Sequence, residues 1–206
     1  MIKNINSILQ SNQLYGSNKS NESYNIEFVS ANPTGPMHVG HCRGAIYGDV
    51  LANLLKFNGN QVTKEYYIND YGNQIKNFVE SVFLRIREIK FNEKFPSQEN
   101  LYPGLYVKDI AKNILNENKS KNFDNFEKTF KFLKEKSLNE SMKLIKNDLS
   151  LLGISHDNFI SETELVNKDL VNKAVNSLAN KKFVEKGFLA PPKGETNINW
   201  KKTKRL

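Results

Sequence analysis

The alternation of apolar and polar residues predicts a short β-strand near the N-terminus. Residues 24–30, YNIEFVS, place Ile26 and Phe28 on one face of the strand and Glu27 and Val29 on the other. The Asn-Pro-Thr-Gly-Pro sequence that follows cannot continue a strand, because proline has no N–H to donate to a neighbour. We therefore expect a strand that runs directly into a loop.

A helix and a second strand come next. From His38 onward, apolar residues recur at helical spacing up to an Asn-Gly C-cap: Ala45, Val50, Leu51, Leu54 and Leu55. Residues 61–68, QVTKEYYI, are rich in β-branched and aromatic side chains and predict a strand. After a turn at 69–72, another apolar stripe predicts a second helix: Ile75, Val79, Val82, Phe83 and Ile86. Strand, helix, strand and helix at this spacing predict a βαβ unit with a parallel sheet.

The sequence changes character after this unit. The next stretch is rich in Phe, Lys and Asn, and its helical periods at 107–115 and 123–149 indicate a mostly helical insertion. A short strand at 158–161 and a helix at 168–183 follow, and then a basic tail. The predicted organisation is a lead segment 1–23, a first βαβα part 24–90, an insertion 91–146 and a continuation of the same domain 147–206.

Composition narrows the class of protein. The 206 residues, 38% hydrophobic and 25% charged, are enough for one medium-sized domain with a buried core. The single cysteine, Cys42, excludes an internal disulfide and fits a reducing compartment. Since there is no run of about 18 apolar residues and no signal-peptide pattern, we expect a cytoplasmic protein without a membrane segment.

The net charge of +8 is unevenly distributed. Residues 1–84 carry 6 basic and 6 acidic side chains, whereas residues 85–146 carry 14 and 9, and residues 181–206 carry 8 and 2. The positive excess therefore lies in the insertion and the tail. Two interpretations remain open: these segments bind RNA phosphates, or their lysines simply solvate exposed faces.

His38 and His41 stand three residues apart in the sequence HVGH, at the predicted start of the first helix. One interpretation is a metal site, because such residues share a helix face as zinc ligands do. However, Cys42 points off that face and His156 is distant in sequence. A second interpretation is that both histidines only cap or pack the helix start.

Phosphate chemistry is the third interpretation, and it accounts for the histidines, the glycines and their location together. Gly35 and Gly40 allow the backbone to approach a nucleotide, and a helix start offers free N–H groups and a positive dipole end. Two imidazoles there can donate hydrogen bonds to phosphoryl oxygens as charge builds up in a transition state. The motif also follows a parallel strand, and open α/β sheets bind ligands at the carboxyl ends of their strands.

The motif and its context resemble a known family. His38-Val39-Gly40-His41 resembles the HIGH motif of class I aminoacyl-tRNA synthetases. The blocks EFVSANPTGPMHVGHCRGAIYGD and EYYINDYGNQI are similar to the catalytic domain of bacterial arginyl-tRNA synthetases, and weaker similarity continues through LGISHDNFISE. The resemblance covers most of residues 24–206. It implies an α/β, Rossmann-like class I synthetase catalytic fold, of which this chain holds the HIGH-motif half with a helical insertion.

The resemblance also implies roles for individual residues. Catalysis falls to His38 and His41, and the residues implied for ATP binding are Gly35, Pro36, His38, Gly40 and His41. Those implied for the arginine substrate are Glu27, Ser30 and Asn32. The chemistry of Glu27 agrees, because a carboxylate within an apolar strand needs a cationic partner and a guanidinium binds it with two hydrogen bonds. A strand with one wet face is the alternative for Glu27.

Other residues near the motif have less specific interpretations. Three residues of the NDYGNQ turn are either candidates to line the site or ordinary turn residues: Asp70, Gly72 and Gln74. Arg43 and Asp49 are expected to hold the motif helix in place. Cys42 is expected to be a small packing residue.

The implied function is ATP-dependent arginine–tRNA ligation, with ATP and Mg²⁺, L-arginine and tRNA(Arg) as partners, no protein-bound metal, and a monomeric complete enzyme. The alternatives are another HxGH nucleotidyltransferase or a non-catalytic RNA-binding fragment. The family's N-terminal domain, KMSKS-type loop and anticodon-binding domain are not recognisable in the 206 residues. We therefore interpret the sequence as a truncated sequence, a split gene product or a decayed copy, and expect it to be inactive alone.

Overall fold

The computed structural model describes residues 2–184, 187–188 and 204–205. Its elements, in chain order, are α1 (Ile2–Ser11), a 3-10 turn (Asn12–Leu14), β1 (Ser23–Glu27), α2 (Val39–Phe57), β2 (Gln61–Ile68), α3 (Asn73–Phe91), α4 (Leu105–Glu117), α5 (Phe126–Leu151), β3 (Asn158–Ser161), α6 (Glu162–Asn167), α7 (Leu170–Asn180), β4 (Gly187–Phe188) and β5 (Lys204–Arg205). The chain divides into two units, residues 1–162 and 163–206.

The first unit contains a three-stranded sheet with the order β1-β2-β3. Both strand pairs are parallel, and the register places Glu27 beside Glu65 and Tyr66 beside Phe159. The predicted parallel sheet is therefore confirmed, and β2 and β3 have the predicted bounds. Because parallel neighbours need crossover connections, the helices between the strands pack back onto the sheet.

β1 ends at Glu27, three residues earlier than predicted. Val29 and Ser30 have φ angles of 68° and 40°, a left-handed conformation that is unusual for a β-branched residue. The chain turns here, so Val29 does not share the face of Glu27 but packs in part against the core next to the sheet. The prediction for Val29 was wrong because an alternation pattern assumes that the strand continues.

α2 packs against the sheet through small residues. Ala45, Gly48 and Ala52 are buried, whereas three larger members of the predicted apolar stripe are 50%, 39% and 56% exposed: Val50, Leu51 and Leu54. The predicted packing face of this helix was therefore largely wrong. The small side chains bring the helix backbone close to the sheet, and the large side chain of Phe28, directly after β1, fills the interface.

The core of the first unit consists of two clusters. Side chains from α2, β2, α5 and the connections after β1 and before β3 form one of them: Phe28, Ala45, Tyr66, Met142, Ile145, Leu149 and Ile154. Side chains from α3, α4 and α5 dominate the other, which includes Phe78, Ile86, Ile110, Ile114, Phe123 and Leu133. The two helices expected in the insertion are thus present as α4 and α5. The second of them runs to Leu151, beyond the predicted end of the insertion at residue 146.

One ion pair lies between α2 and β2. Lys64 is only 8% exposed, and its Nζ lies 2.6 Å from Asp49 Oδ1 and 3.2 Å from Asn53 Oδ1. The carboxylate of Asp157 accepts the backbone N–H of Lys64 at 2.8 Å. Asp49 therefore ties the motif helix to the sheet, as its position in the sequence indicated.

The second unit differs from the prediction. Instead of one helix at 168–183, α6 ends at Asn167 and α7 begins at Leu170, and Asp169 between them has a φ of 56°. β4 and β5 form an antiparallel pair. The basic tail predicted from the sequence falls mostly outside the described residues. Within the described part of the chain, every helix is too short or too polar to cross a bilayer.

Candidate active site

The turn after β1 places a serine hydroxyl against a carboxylate. Ser30 Oγ donates to Glu27 Oε1 at 2.5 Å and accepts the backbone N–H of Tyr67 at 3.0 Å. Glu27 is exposed, so the expectation that apolar strand residues enclose it was wrong. Burial, followed by the carboxylates of Glu162, Asp70 and Glu27, raises the pKa of Tyr67. Several carboxylates therefore lie near the carboxyl ends of the strands, an arrangement that suits a cationic substrate group.

Asn32 connects the loop after β1 to the start of α3. Its Nδ2 donates to Gln74 Oε1 at 2.9 Å, and its Oδ1 accepts a hydrogen bond from Asn69 Nδ2 at 3.1 Å. The structure thus brings together two site candidates that lie 42 residues apart in sequence. Gly72 is the N-cap of α3 with a φ of 94°, which explains a glycine there without a substrate contact.

Asp70 lies at the carboxyl end of β2 and reaches the next strand. Its Oδ2 accepts a hydrogen bond from the Ser161 hydroxyl at 2.6 Å, so it links the ends of β2 and β3. Asp70 and Gly72 do not line the cleft that contains the histidines, although both stand at the same end of the sheet.

The two histidines of the motif cap α2. His38 is the N-cap residue, and its Nδ1 accepts the N–H of Gly40 at 3.1 Å, while His41 Nδ1 accepts the N–H of His38 at 3.3 Å. This is the reciprocal pattern of a capping box, made here by two imidazoles. The rings are stacked with their centroids 3.7 Å apart.

This cap fixes which nitrogen of each ring carries the proton. Because Nδ1 is the acceptor in both rings, the neutral tautomer of each histidine bears its hydrogen on Nε2. Burial, and then the charge of His38, lowers the pKa of His41. The two rings therefore present their Nε2–H groups as donors, because their Nδ1 atoms are already occupied by the cap.

The helix start itself offers fewer donors than the sequence indicated. The N–H of Gly40 is taken by His38 Nδ1, and the N–H groups of His41 and Cys42 both donate to the His38 carbonyl oxygen. The expectation of several free N–H groups was thus wrong, because the cap consumes them. A Cβ on Gly40 would lie 3.0 Å from His38 Cε1, so this glycine makes room for the folded-back His38 ring.

The histidines open into a cleft of about 480 Å³. Its lining residues are Asn32, Thr34, Gly35, Pro36, Met37, His38, His41, Tyr102 and Tyr106. Five of these were predicted to bind ATP or arginine. Glu27, Ser30 and Gly40 lie outside this lining. The cleft is large enough for the phosphates and ribose of a nucleotide, and the two imidazoles are its most basic groups.

Comparison with known proteins decides the family. Residues 4–188 match the family described as tRNA synthetases class I (R), catalytic domain. The chain belongs to this family. It is 57% identical over 205 residues to an arginine–tRNA ligase of Pelagibacter ubique, covering 98% of this chain but 36% of that protein. It is 52% identical over 178 residues to an arginine–tRNA ligase of Ehrlichia ruminantium, covering 86% and 31%.

A solved structure supports the same assignment. The chain matches an arginyl-tRNA synthetase from Campylobacter jejuni with a TM-score of 0.76 and 33% identity, over 91% of this chain and 40% of that one. The fold is therefore that of a class I arginyl-tRNA synthetase catalytic domain, as predicted. The chain spans about a third of the length of the curated relatives that it matches.

Sequence reasoning missed three residues at or next to the cleft. Tyr102 and Tyr106 line the cleft, and Asp148 on α5 accepts the backbone N–H of Met37 at 3.0 Å. All three lie more than 60 residues after the motif, in the helical insertion or at its end. The sequence did hold one signal for Asp148: an acidic residue in the last turn of a helix is disfavoured by the helix dipole, so its presence there indicates another contact.

The metal and packing interpretations can now be compared with the site. Among the described residues, no three histidine, cysteine or acidic side chains cluster as metal ligands. His156 packs against Phe28, with ring centroids 4.3 Å apart, and burial lowers its pKa. Cys42 is a free, half-buried thiol and Arg43 is exposed. Capping and phosphate binding are compatible for the motif histidines, because the two roles use different ring nitrogens.

Proposed function

We propose that the complete protein is an arginine–tRNA ligase that activates arginine with ATP and transfers it to tRNA(Arg) in the cytoplasm. The observation that carries this proposal is the pair of capped histidines, whose Nε2–H groups remain for a ligand in the cleft at the carboxyl end of the parallel sheet. Family membership supports the choice of arginine and tRNA. We expect the complete enzyme to be a monomer.

In the first step, the carboxylate of arginine attacks the α-phosphorus of ATP, the bond to the β-phosphate oxygen breaks, and pyrophosphate leaves. The attacking carboxylate is already anionic at neutral pH, so the step needs no general base. Magnesium enters with the ATP phosphates as part of the substrate. In the second step, a terminal ribose hydroxyl of the tRNA attacks the adenylate carbonyl, and AMP leaves.

His38 and His41 would act on the first step as hydrogen-bond donors. Charge increases on the α-phosphoryl oxygens as the carboxylate approaches, and preorganised donors stabilise that charge more in the transition state than in the ground state. Stacking and capping hold both rings in fixed positions, so little reorganisation is needed. Gly35 and Pro36 in the cleft lining, together with Gly40 in the cap, would shape the backbone around ATP.

Arginine would bind at the turn after β1. Glu27 is exposed at the sheet edge with one oxygen held by Ser30, which leaves carboxylate lone pairs for a guanidinium. Asn32 lies between this turn and the cleft and is oriented by Gln74. This arrangement would place the guanidinium near Glu27 and direct the carboxylate of arginine toward the histidines.

The proposal is tested by arginine-dependent ATP–pyrophosphate exchange with tRNA(Arg) present. The assay compares the 206-residue chain alone with the chain joined to the remaining sequence of the Pelagibacter ubique relative. We expect exchange from the joined protein and none from the chain alone, because α2 exposes much of its apolar surface and β1 is an edge strand. Strict dependence on another acid, or no exchange in the joined protein, would contradict the assignment.

The histidine role has its own variants. His38→Ala or His41→Ala should reduce kcat of the joined enzyme by about 30- to 1,000-fold, as loss of a transition-state donor does, and leave the KM for arginine nearly unchanged. Val39→Ala is the matched control, because this side chain lies between the histidines and is 86% exposed. Near-normal turnover of both histidine variants would refute the role.

The Glu27 role predicts a change in arginine affinity. Glu27→Gln should raise the KM for arginine by about 5- to 150-fold, the range expected for losing hydrogen bonds to a charged group. Glu65→Gln is the matched control, since Glu65 sits beside Glu27 in the sheet register and is bonded to Asn25. Equal effects of the two variants would indicate general charge attraction instead of a direct contact.

A further inference from the structure

The loop that leads from β1 to the motif at the start of α2 is held by contacts with other parts of the chain. Tyr66 on β2 donates its hydroxyl to the Ala31 carbonyl oxygen at 2.8 Å. Farther along the loop, Asn32 is held by Gln74 on α3, and two more anchors come from later helices: Tyr106 on α4 and Asp148 near the end of α5. The loop between β1 and α2 is therefore held by β2, α3, α4 and α5, all of which come later in the chain.

Tyr106 holds the middle of the loop. Its hydroxyl donates to the Thr34 carbonyl oxygen at 2.9 Å, and its half-buried ring lies between two glycines. A Cβ on Gly35 would lie 3.0 Å from Tyr106 Cζ, and a Cβ on Gly104 would lie 2.4 Å from Tyr106 Cε1. Both glycines thus permit an approach that other residues would block, and the ring is confined to one position.

Asp148 holds the end of the loop at Met37, the residue before His38. Its Oδ2 accepts the N–H of Met37 at 3.0 Å across 111 residues of sequence. Asp148 lies in the last turn of α5, where the helix dipole disfavours a negative charge, and that turn contains no basic residue. A contact with the loop gives a reason for an acidic residue at this otherwise unfavourable position.

We propose that Tyr106 and Asp148 are positioning residues that set the placement of His38 and His41 at the cleft. Helices α4 and α5 would then serve the chemistry of the first step, since they fix the backbone from which the capping box starts. The effect on turnover rests on the proposed function, whereas the effect on the loop does not. Arginine affinity should be independent of both residues, because Glu27 and Ser30 are held by β1 and β2.

The effect on the loop is measured on the 206-residue chain by hydrogen exchange of the Met37 amide. Asp148→Ala should accelerate this exchange by about 10- to 100-fold, as loss of a hydrogen bond to a charged acceptor would, and Asp148→Asn should restore most of the protection because the amide oxygen still accepts. Asp109→Ala on α4 is the matched control, since Asp109 is exposed and pairs only with Lys112 among the contacts described. Unchanged protection in Asp148→Ala would overturn the anchor.

The effect on chemistry is measured by pyrophosphate exchange in the joined enzyme. Asp148→Ala should lower kcat by about 10- to 100-fold and Tyr106→Phe by about 2- to 10-fold, with an unchanged KM for arginine and recovery in Asp148→Asn. Tyr106→Phe keeps the ring between the glycines, so it tests the hydroxyl without opening a cavity. A wild-type kcat in both variants, or a KM that rises instead, would refute the positioning role.

These outcomes separate the two proposals. Absence of exchange in the unsubstituted joined enzyme would contradict the proposed function, while protection of the Met37 amide would still decide whether Asp148 on α5 holds the loop. Normal exchange in the unsubstituted enzyme, combined with normal kcat in the Asp148 and Tyr106 variants, would contradict only the positioning inference.

Discussion

Replacing Gly48 with alanine tests the packing that brings the motif helix onto the sheet. A Cβ at this position would lie 2.3 Å from Phe28 Cγ and 2.5 Å from Phe28 Cβ, whereas ordinary contacts begin near 3.4 Å. Either α2 or the segment that carries Phe28 must therefore shift by about 1 Å. Rotation of the Phe28 ring cannot relieve the clash, because Phe28 Cβ is attached to the backbone just after β1 and the side chain is buried.

The expected loss of stability follows from two opposing effects. Overpacking of a filled core costs about 1–3 kcal/mol, and a clash with a backbone-attached atom belongs at the upper end. Alanine is favoured over glycine within a helix by about 1 kcal/mol. Gly48→Ala should therefore destabilise the protein by about 2 kcal/mol.

Gly44 is the matched control because it lies on the same helix, and a Cβ placed there would meet no heavy atom within 4 Å apart from its chain neighbours and the backbone of its own helix. Gly44→Ala should gain about 1 kcal/mol from helix propensity alone. Urea unfolding followed by far-UV circular dichroism should thus separate the two variants by about 3 kcal/mol with similar m-values. If both variants were equally stabilised, α2 would not pack on Phe28 in this way.

Three further outcomes are expected. Lys64→Met should lower the free energy of unfolding by about 3–5 kcal/mol, because it leaves the nearly buried Asp49 carboxylate without its ion-pair partner. Adding Asp49→Met should recover much of that loss. Additive effects of the two substitutions in urea unfolding would contradict the pairing. NMR titration should place the midpoint of His41 below the usual 6.5, chiefly because of burial, and a midpoint above 6.5 would contradict the capped geometry. Burial also lowers the pKa of His156 from 6.5, so the unfolded chain binds a proton at His156 more readily than the folded protein does. The free energy of unfolding should therefore fall as the pH drops from about 6.5 to the folded-state pKa. His156→Phe should flatten this part of the pH profile measured by urea unfolding.

The sequence predicted the elements well where the local signal was strong. β2 and β3 have their predicted bounds, and β2 shows why, because its β-branched and aromatic run ends at turn residues. The prediction was wrong at the end of β1, where the chain turns at Val29, and between α6 and α7, where Asp169 adopts a left-handed conformation. Neither residue has the glycine signature of such a position, so propensity gave no warning.

The residues of the candidate site also fall into two groups, those that the sequence indicated and those that only the structure shows. The HVGH motif after a strand and a Gly-Pro loop, together with its resemblance to class I synthetases, was enough to assign the family and to select His38 and His41 as candidates. The roles of Glu27, Ser30 and Asn32 remain predictions, although their contacts to β2 and α3 are now described. Tyr106 and Asp148 were invisible in sequence because their partners are backbone groups of a distant loop.

The sequence by itself determined the parallel α/β architecture, the position of the motif and the family, because these depend on periodicity and on residue types at short spacing. Only the tertiary structure decided which side of α2 packs on the sheet, since Phe28 fills the space that Gly48 leaves. It also decided that the histidines cap their own helix through Nδ1, which turns their Nε2–H groups into the remaining donors. Such features depend on which atoms meet across long stretches of chain, and one-dimensional spacing does not encode that.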